Sequence, residues 1–473
     1  MQESGSVKDR QAQNSNPAAV PTAAIQAGEA TTLRERWSWA EASVWTDRML
    51  MALEQGVKGD VWFSLMDKVW SDRNLWCAWC EVAANEGSAG VDHETIAMFE
   101  KDPQVKLKEL SDQLQSGTYR PQAVRRVYIP KAGGGKRPLG IPTVRDRVVQ
   151  AALRHVLEPI FERDFARHSY GFRPGKGCKD ALRQVDELLK AGYTHVVDAD
   201  LKSYFDSIPH EQLMMRLRAK VADGKVLKLV EAFLTQGVLE GLSQWTPTSG
   251  SPQGAVISPL LSNVYLDPLD HLMEQQGLEM VRYADDFVVL CRDAAEAERA
   301  LETVRQWTAQ AGLTLHSDKT RVANLSPTAR EGEAFEFLGY RFTHERSKTG
   351  QSRITRQPRD KSRAKFKDAI RSKTRRAHGQ SLAVIIASVN LTVKGWYAYF
   401  KHTSRAEPRR PDTLERLDQW IRMRLRSILR KRMRLPGCGR GKDHYRWPNK
   451  FFEAGGLFSM AKARLSAHQS VLR

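Results

Sequence analysis

Residues 281–290 read VRYADDFVVL, with two adjacent carboxylates, Asp285 and Asp286, inside a run that otherwise has the composition of a buried strand. Val281, Tyr283, Phe287, Val288, Val289 and Leu290 are the β-branched, aromatic and aliphatic types that favour strands. An unpaired buried carboxylate costs several kcal/mol or stays protonated, and two side by side are worse. Two readings are open. Ala-Asp-Asp makes an acceptable hairpin turn at the surface, or a divalent cation with a preference for hard oxygen ligands compensates the charge. The dipeptide alone does not choose. A second acid-bearing segment, THVVDADLKSYFDSI (194–208), reads as a strand that places Asp198 and Asp200 on one face at period two. SGSPQGAVISPLLSNVYLDPLD, a turn leading into a helix, lies between the two. Two-cation phosphoryl transfer requires carboxylates from separate elements to converge, and a strand beside a hairpin supplies that.

The remaining chain frames these strands. At 473 residues it has room for roughly three domains. Residues 1–34 are polar and free of aromatics, lack the pattern of a secretory signal, and are expected to be a disordered tail. Residues 35–118 read as a helical extension, with TLRERWSWAEASVWTDRMLMALEQG as its first helix. In 119–345 strands and helices are interspersed, which predicts an α+β domain. It includes VYIP, the Gly/Pro/Lys loop KAGGGKRPLGIPT, the helix RDRVVQAALRHVLEPIFERDF and the strand pair FEFLGYRF. Residues 346–435 hold three helical segments. The last carries Leu414, Leu417, Ile421, Leu425 and Ile428 as an apolar stripe on a basic cylinder, which predicts a bundle. Residues 436–473 read as a short basic segment. No apolar run approaches the ~20 residues of a membrane helix, so no membrane is expected. Five scattered cysteines make no disulfide framework, and Cys77-x-x-Cys80 has no second pair at zinc spacing; a reduced, intracellular setting fits.

Net charge is +19, but it is regional. Residues 341–473 hold 34 Lys and Arg against 9 Asp and Glu, a net of +25; the first 340 hold 40 against 46, a net of −6. Trp396, Tyr397, Tyr399, Phe400, Trp420, Tyr445 and Trp447 are interleaved with the cations. Cations for phosphates and rings for bases point to a nucleic-acid partner.

DADLKSYFDSI, SPQGAVISPLLSNVYL, RYADDFVVL, LTLHSDKT and FLGYRF occur in the order and spacing of the sequence blocks of reverse transcriptases, which they resemble. VYIPKAGGGKRPLGIPTVRDRVVQAALRHVLEPIFE and HSYGFRPGKGCKDAL look like the finger blocks of the group II intron reverse transcriptase/maturases. LTVKGWYAYF resembles their maturase (X, or thumb) domain, and RWPNKFFEAGGLFSM looks like the ending of the short IIC class. The resemblance covers roughly residues 35–473. It implies a right-hand polymerase fold, fingers and palm with an antiparallel sheet, followed by an α-helical thumb/maturase bundle.

The resemblance also implies roles. Asp200 and Asp285 would hold two Mg²⁺ ions, for which Mn²⁺ substitutes, with Leu201 lending a backbone carbonyl and Asp286 in support. Phe205 would lie under the incoming sugar and reject a 2′-hydroxyl; the alternative is a core aromatic. Gln253 would contact the dNTP, and Gly254 would support the primer and template; Ser251 stands where many relatives have Thr. Lys131 and Arg137 would reach the triphosphate. Lys319 would support the primer and template, or be an ordinary surface lysine. Expected partners are intron RNA, an RNA template with a DNA primer, a DNA target site and dNTPs, in a bacterial cytoplasm and at the nucleoid. No His-Asn-His or paired C-x-x-C pattern follows residue 436, so the DNA endonuclease domain of longer relatives is expected to be missing. The alternatives are a splicing cofactor with incidental polymerase activity, or a free-standing reverse transcriptase of phage defence or CRISPR adaptation.

Overall fold

The computed structural model describes residues 32–130, 135–347, 350–376, 379–404, 411–439 and 441–471, with side chains to residue 466. Most of the expected tail therefore lies outside the described residues. The expected first helix is broken in two, Leu33–Arg36 and Asp47–Gln55. Thr46 caps the second by accepting the Met49 N–H, and the Trp45 indole donates to the His155 carbonyl at 2.9 Å. A cap and a tertiary hydrogen bond outweigh the helical periodicity of the intervening residues. Helix Asp72–Ala84 then packs on helix Val144–Glu162, joined by Asn74, whose amide donates to Ala152 O and whose Oδ1 meets His155 Nδ1.

Three sheets follow. β1 (Val124–Pro130), β2 (Lys136–Ile141), β4 (Val238–Glu240) and β5 (Ser243–Trp245) form one, in the order β2-β1-β4-β5. β3 (His195–Asp200), β6 (Glu279–Tyr283), β7 (Asp286–Cys291) and β8 (Arg321–Asn324) form the antiparallel central sheet, β6-β7-β3-β8. β9 (Ala334–Phe337), β10 (Tyr340–Arg346) and β11 (Ser352–Pro358) form the third. Period-two alternation sorts the central sheet. Val197, Ala199, Phe287, Val289 and Cys291 enter the main core with the helices. Val196, Val281, Val288 and Leu290 enter a second core with Phe335, Phe337, Tyr340 and Phe342. Each Val, Leu or Phe side chain among them, fully buried, contributes about 1.5–3 kcal/mol. The third sheet crosses the expected boundary after residue 345, because β10 pairs with β11 from Tyr340↔Pro358 to Arg346↔Ser352.

The basic region forms helices Asp360–Lys373, Leu382–Phe400 and Thr413–Arg432 over a third core that includes the whole expected apolar stripe. Phe452, Leu457 and Met460 belong to the same core. Asp418 accepts the Met460 and Ala461 N–H groups at the start of helix Met460–Val471. The segment after residue 435 thus completes the bundle. One expectation is corrected: helix Leu382–Phe400 is long and apolar enough to cross a membrane by length and composition alone. In this fold Ile385, Ile386, Val389, Val393 and Phe400 are buried against protein, and Asn390 bonds Gly456 and Phe458.

Candidate active site

The site is assembled where β3 and the β6–β7 hairpin run side by side. Tyr283 pairs with Asp286, so the hairpin connection is only Ala284 and Asp285. Ala284 has φ +59°, a left-handed conformation that costs a non-glycine residue energy and persists only when its surroundings hold it. Two contacts do so. The backbone at Gly171 lies flat against the turn, where a Cβ would come within 2.1 Å of Ala284 N. Arg282, fully buried, donates to Ala284 O at 3.0 Å, to Asn263 Oδ1 at 3.0 Å and to the Asp270 carboxylate. Asp285 and Asp286 are therefore on and beside a turn, as the hairpin reading expects.

Across the sheet Asp200 pairs directly with Asp286. Burial pushes the Asp286 carboxyl up to about 7, with Asp198 and Asp285 adding repulsion. Burial also raises Asp285, reinforced by Asp200 and opposed by Arg137 and Arg282. Asp198 is pushed up by burial to about 6, despite the nearby Arg321. Several carboxylates held at the cost of their charged form are what a bound cation would relieve. Among the described residues no three His, Cys, Asp or Glu side chains form a complete cation cage. Mg²⁺ does not need one, because it takes one or two carboxylates and fills the remaining positions with substrate phosphates and water. The residues present fit a divalent cation on those terms.

Leu201 bridges Leu315, with Lys202 N donating to Thr314 O and His316 N to Asp200 O, so the Leu201 carbonyl takes no part in that bridge. Lys319, carried on the same segment, forms an ion pair with Asp200 Oδ2. Arg137 and Gln253 are brought together, Nε to Oε1 at 2.8 Å, although they are 116 residues apart. Gly140 N donates to Gln253 O at 2.7 Å, and at Gly254 (φ +107°) a Cβ would come within 2.6 Å of Gly140 O. A cavity of about 410 Å³ lies beside this contact, with Gln253, Asp206 and Arg126 in its wall. Phe205 is buried against Tyr204 at 5.4 Å, and its carbonyl accepts the Ser251 N–H at 2.7 Å. Lys131 lies outside the described residues.

Gly171, Asn263, Asp270 and Arg282 support the turn and were not singled out from the sequence. Asn263 and Asp270, seven residues apart on one face of an apolar helix, were the available signal.

A family model described as "Reverse transcriptase (RNA-dependent DNA polymerase)" matches residues 129–342, and one described as "Group II intron, maturase-specific domain" matches 363–447. "Protein YkfC" of Escherichia coli is 35% identical over 315 residues, 58% of this chain and 81% of that protein. "Group II intron-encoded protein LtrA" of Lactococcus lactis is 38% identical over 208 residues, 43% of this chain and 34% of LtrA, so the chain spans about a third of that relative. A solved chain titled "Partial Cas6-RT-Cas1--Cas2 complex" is 25% identical, covering 52% of this chain and 41% of its own, at a TM-score of 0.35, too loose a superposition to decide anything. The polymerase blocks, the maturase-specific domain behind them and the paired acidic strands agree: the chain belongs to the group II intron reverse transcriptase/maturases.

Proposed function

We propose that the protein extends a DNA primer on an RNA template and, through its basic helical bundle, binds a group II intron RNA and assists its splicing and mobility. The observation that carries the polymerase half is the register of β3 against β7, which sets Asp200 opposite Asp286 beside the Asp285 turn. In this reading Asp200, Asp285 and the Leu201 carbonyl hold Mg²⁺, and Asp286 supports them. Bound divalent ions supply charge compensation for the attacking 3′-hydroxyl and the departing pyrophosphate. Arg137 and Gln253 face the incoming dNTP as a hydrogen-bonded pair, Gly254 keeps the strand-facing loop close to β2, and Phe205 excludes the 2′-hydroxyl. Lys131 reaches the triphosphate. Lys319 holds Asp200 in place until the primer and template arrive. The intron RNA, the primer–template and the DNA target are bound mainly through phosphates, with the cytoplasm and nucleoid as the setting.

The test is one preparation and two assays: primer extension on an RNA template, and splicing of the flanking intron transcript at a Mg²⁺ level too low for self-splicing. Asp285→Ala is expected to abolish extension and to leave protein-dependent splicing and RNA binding intact. Loss of all three would assign Asp285 to folding. Wild-type splicing without extension would make the protein a splicing cofactor; extension without splicing would place it among the free-standing reverse transcriptases.

A further inference from the structure

Phe172 holds a costly conformation at the surface, beside the acidic turn. Its φ is +58°, left-handed backbone that a bulky residue adopts only where its surroundings impose it. Its side chain is 44% exposed, so burial of the ring does not repay the strain. The ring lies against that of Tyr283, with centroids 6.5 Å apart and planes at 46°. Tyr283 comes two residues before Asp285 and pairs directly with Asp286, so the Tyr283 and Asp286 side chains share a face of the central sheet. Phe172 therefore extends an aromatic surface outward from the edge of the candidate site.

The loop around Phe172 is built to hold that conformation. Before it, Tyr170 N donates to Arg282 O at 2.8 Å and Arg282 N donates to His168 O at 3.1 Å, which straps the loop to β6. The Gly171 carbonyl accepts the Asn263 amide at 2.8 Å. After it, the buried Arg173 donates to both Glu162 carboxylate oxygens at 2.9 Å, to Ser169 O at 2.8 Å and to Ala166 O. Residues 171 and 173 are thus fixed on either side, and the ring between them is kept in the open. A glycine would adopt this backbone without strain. An exposed ring held there against its backbone preference is a mark of a functional site rather than of packing.

We propose that Phe172 seats the primer: its exposed ring packs against the 3′-terminal nucleotide of the DNA strand being extended. The inference rests on the reading that Asp200 and Asp285 serve primer extension. A reacting 3′-hydroxyl must lie at those two carboxylates, which puts the terminal nucleotide next to the hairpin that Tyr283 and Phe172 flank. The incoming nucleotide is served by a different pair, Arg137 and Gln253, on other elements. An uncharged ring suits a primer end because every nucleotide offers it a base face, whatever the sequence being copied.

The experiment uses the full chain with Phe172→Gly and Phe172→Tyr. Phe172→Gly removes the ring and suits the left-handed backbone, so its thermal midpoint is expected to stay close to wild type. Binding is measured to an RNA template annealed to a dideoxy-terminated DNA primer, with the next dNTP and Mg²⁺ present so that the end is seated and not extended. The dissociation constant is expected to rise roughly tenfold in Phe172→Gly, about the worth of one stacked nucleotide. Binding to the RNA template without primer is expected to stay at the wild-type level. Phe172→Tyr, which keeps the ring, is expected to bring primer–template affinity back to within about twofold of wild type. An unchanged constant in Phe172→Gly overturns the proposal. An equal loss on the template alone also overturns it, because the ring would then serve the RNA strand. So do losses in both variants that follow a falling midpoint, which describe a merely structural loop. A wild-type protein that extends no primer overturns the reading of Asp200 and Asp285 beneath it; an active wild type with a silent Phe172→Gly overturns the primer seat alone.

Discussion

Arg282 and Asp270 form an enclosed ion pair directly beneath the Ala284–Asp285 turn, with side chains 0% and 3% exposed. Burial opposes the guanidinium charge, but the Asp270 carboxylate outweighs it and holds Arg282 above its ordinary value. Removing one partner leaves the other charged and unpaired, which costs about 3–5 kcal/mol. Asp270→Ala is therefore expected to be strongly destabilised in urea denaturation, whereas the paired replacement Arg282→Met with Asp270→Leu recovers most of that stability. Extension activity should stay low in the pair, because replacing Arg282 takes away the donor to Ala284 O. Recovered activity would show that the turn needs no such support.

Gly171 has no room for a side chain. A Cβ within 2.1 Å of Ala284 N forces the loop or the hairpin to move. A shift of ~1 Å at a reacting centre costs up to ~100-fold in rate. Gly171→Ala is expected to lose roughly tenfold or more in kcat while RNA binding by the basic bundle stays at the wild-type level. Steady-state extension kinetics and a filter-binding titration distinguish this from general unfolding, which would lower both.

Lys319 competes with cations for Asp200. Its side chain is 59% exposed, so the ion pair is screened and worth no more than about 1 kcal/mol. Lys319→Ala should tighten Mn²⁺ binding to the protein without nucleic acid by roughly threefold, read by the loss of free-ion signal in electron paramagnetic resonance. Weaker binding would mean that Lys319 orders Asp200 for the metal instead of blocking it.

Glu158 gives a pH signature away from the site. Burial raises its carboxyl to about 7, with Arg154 opposing and Glu162 adding to the rise. A carboxyl whose folded value exceeds its unfolded one holds more protons when folded, so its contribution to stability declines as pH rises from about 4.5 to about 7 and does not recover above. Glu158→Gln removes that penalty. Its advantage over wild type in denaturation is expected to be small at pH 5 and of the order of 2 kcal/mol at pH 8. An advantage that does not change with pH would place Glu158 in water.

The chain's order of elements was legible without coordinates because each element carries its own local signal. Alternation marks β3 and β7, the 3/4 spacing of Leu414 to Ile428 marks a bundle helix, and Pro-Gln-Gly marks a tight loop. Asp200, Asp285 and Asp286 could be picked out because acids within apolar strands break their local pattern. What local pattern cannot carry is the partner across the chain. Arg137 meets Gln253 across 116 residues, Gly171 supports a turn more than a hundred residues later, and Asp418 caps the helix that starts at Met460. The break at Trp37–Trp45 has no local signal for the same reason: its cause is the His155 carbonyl, which lies 110 residues further on. The Leu382–Phe400 helix shows the limit most directly. Its composition fits a bilayer or a protein core equally well, and only the tertiary structure shows that one face, with Ile385, Val389 and Val393, packs against the neighbouring bundle helices. Amino-acid type sets which groups must be buried or paired. Which distant group does the burying or pairing is decided when the chain closes on itself.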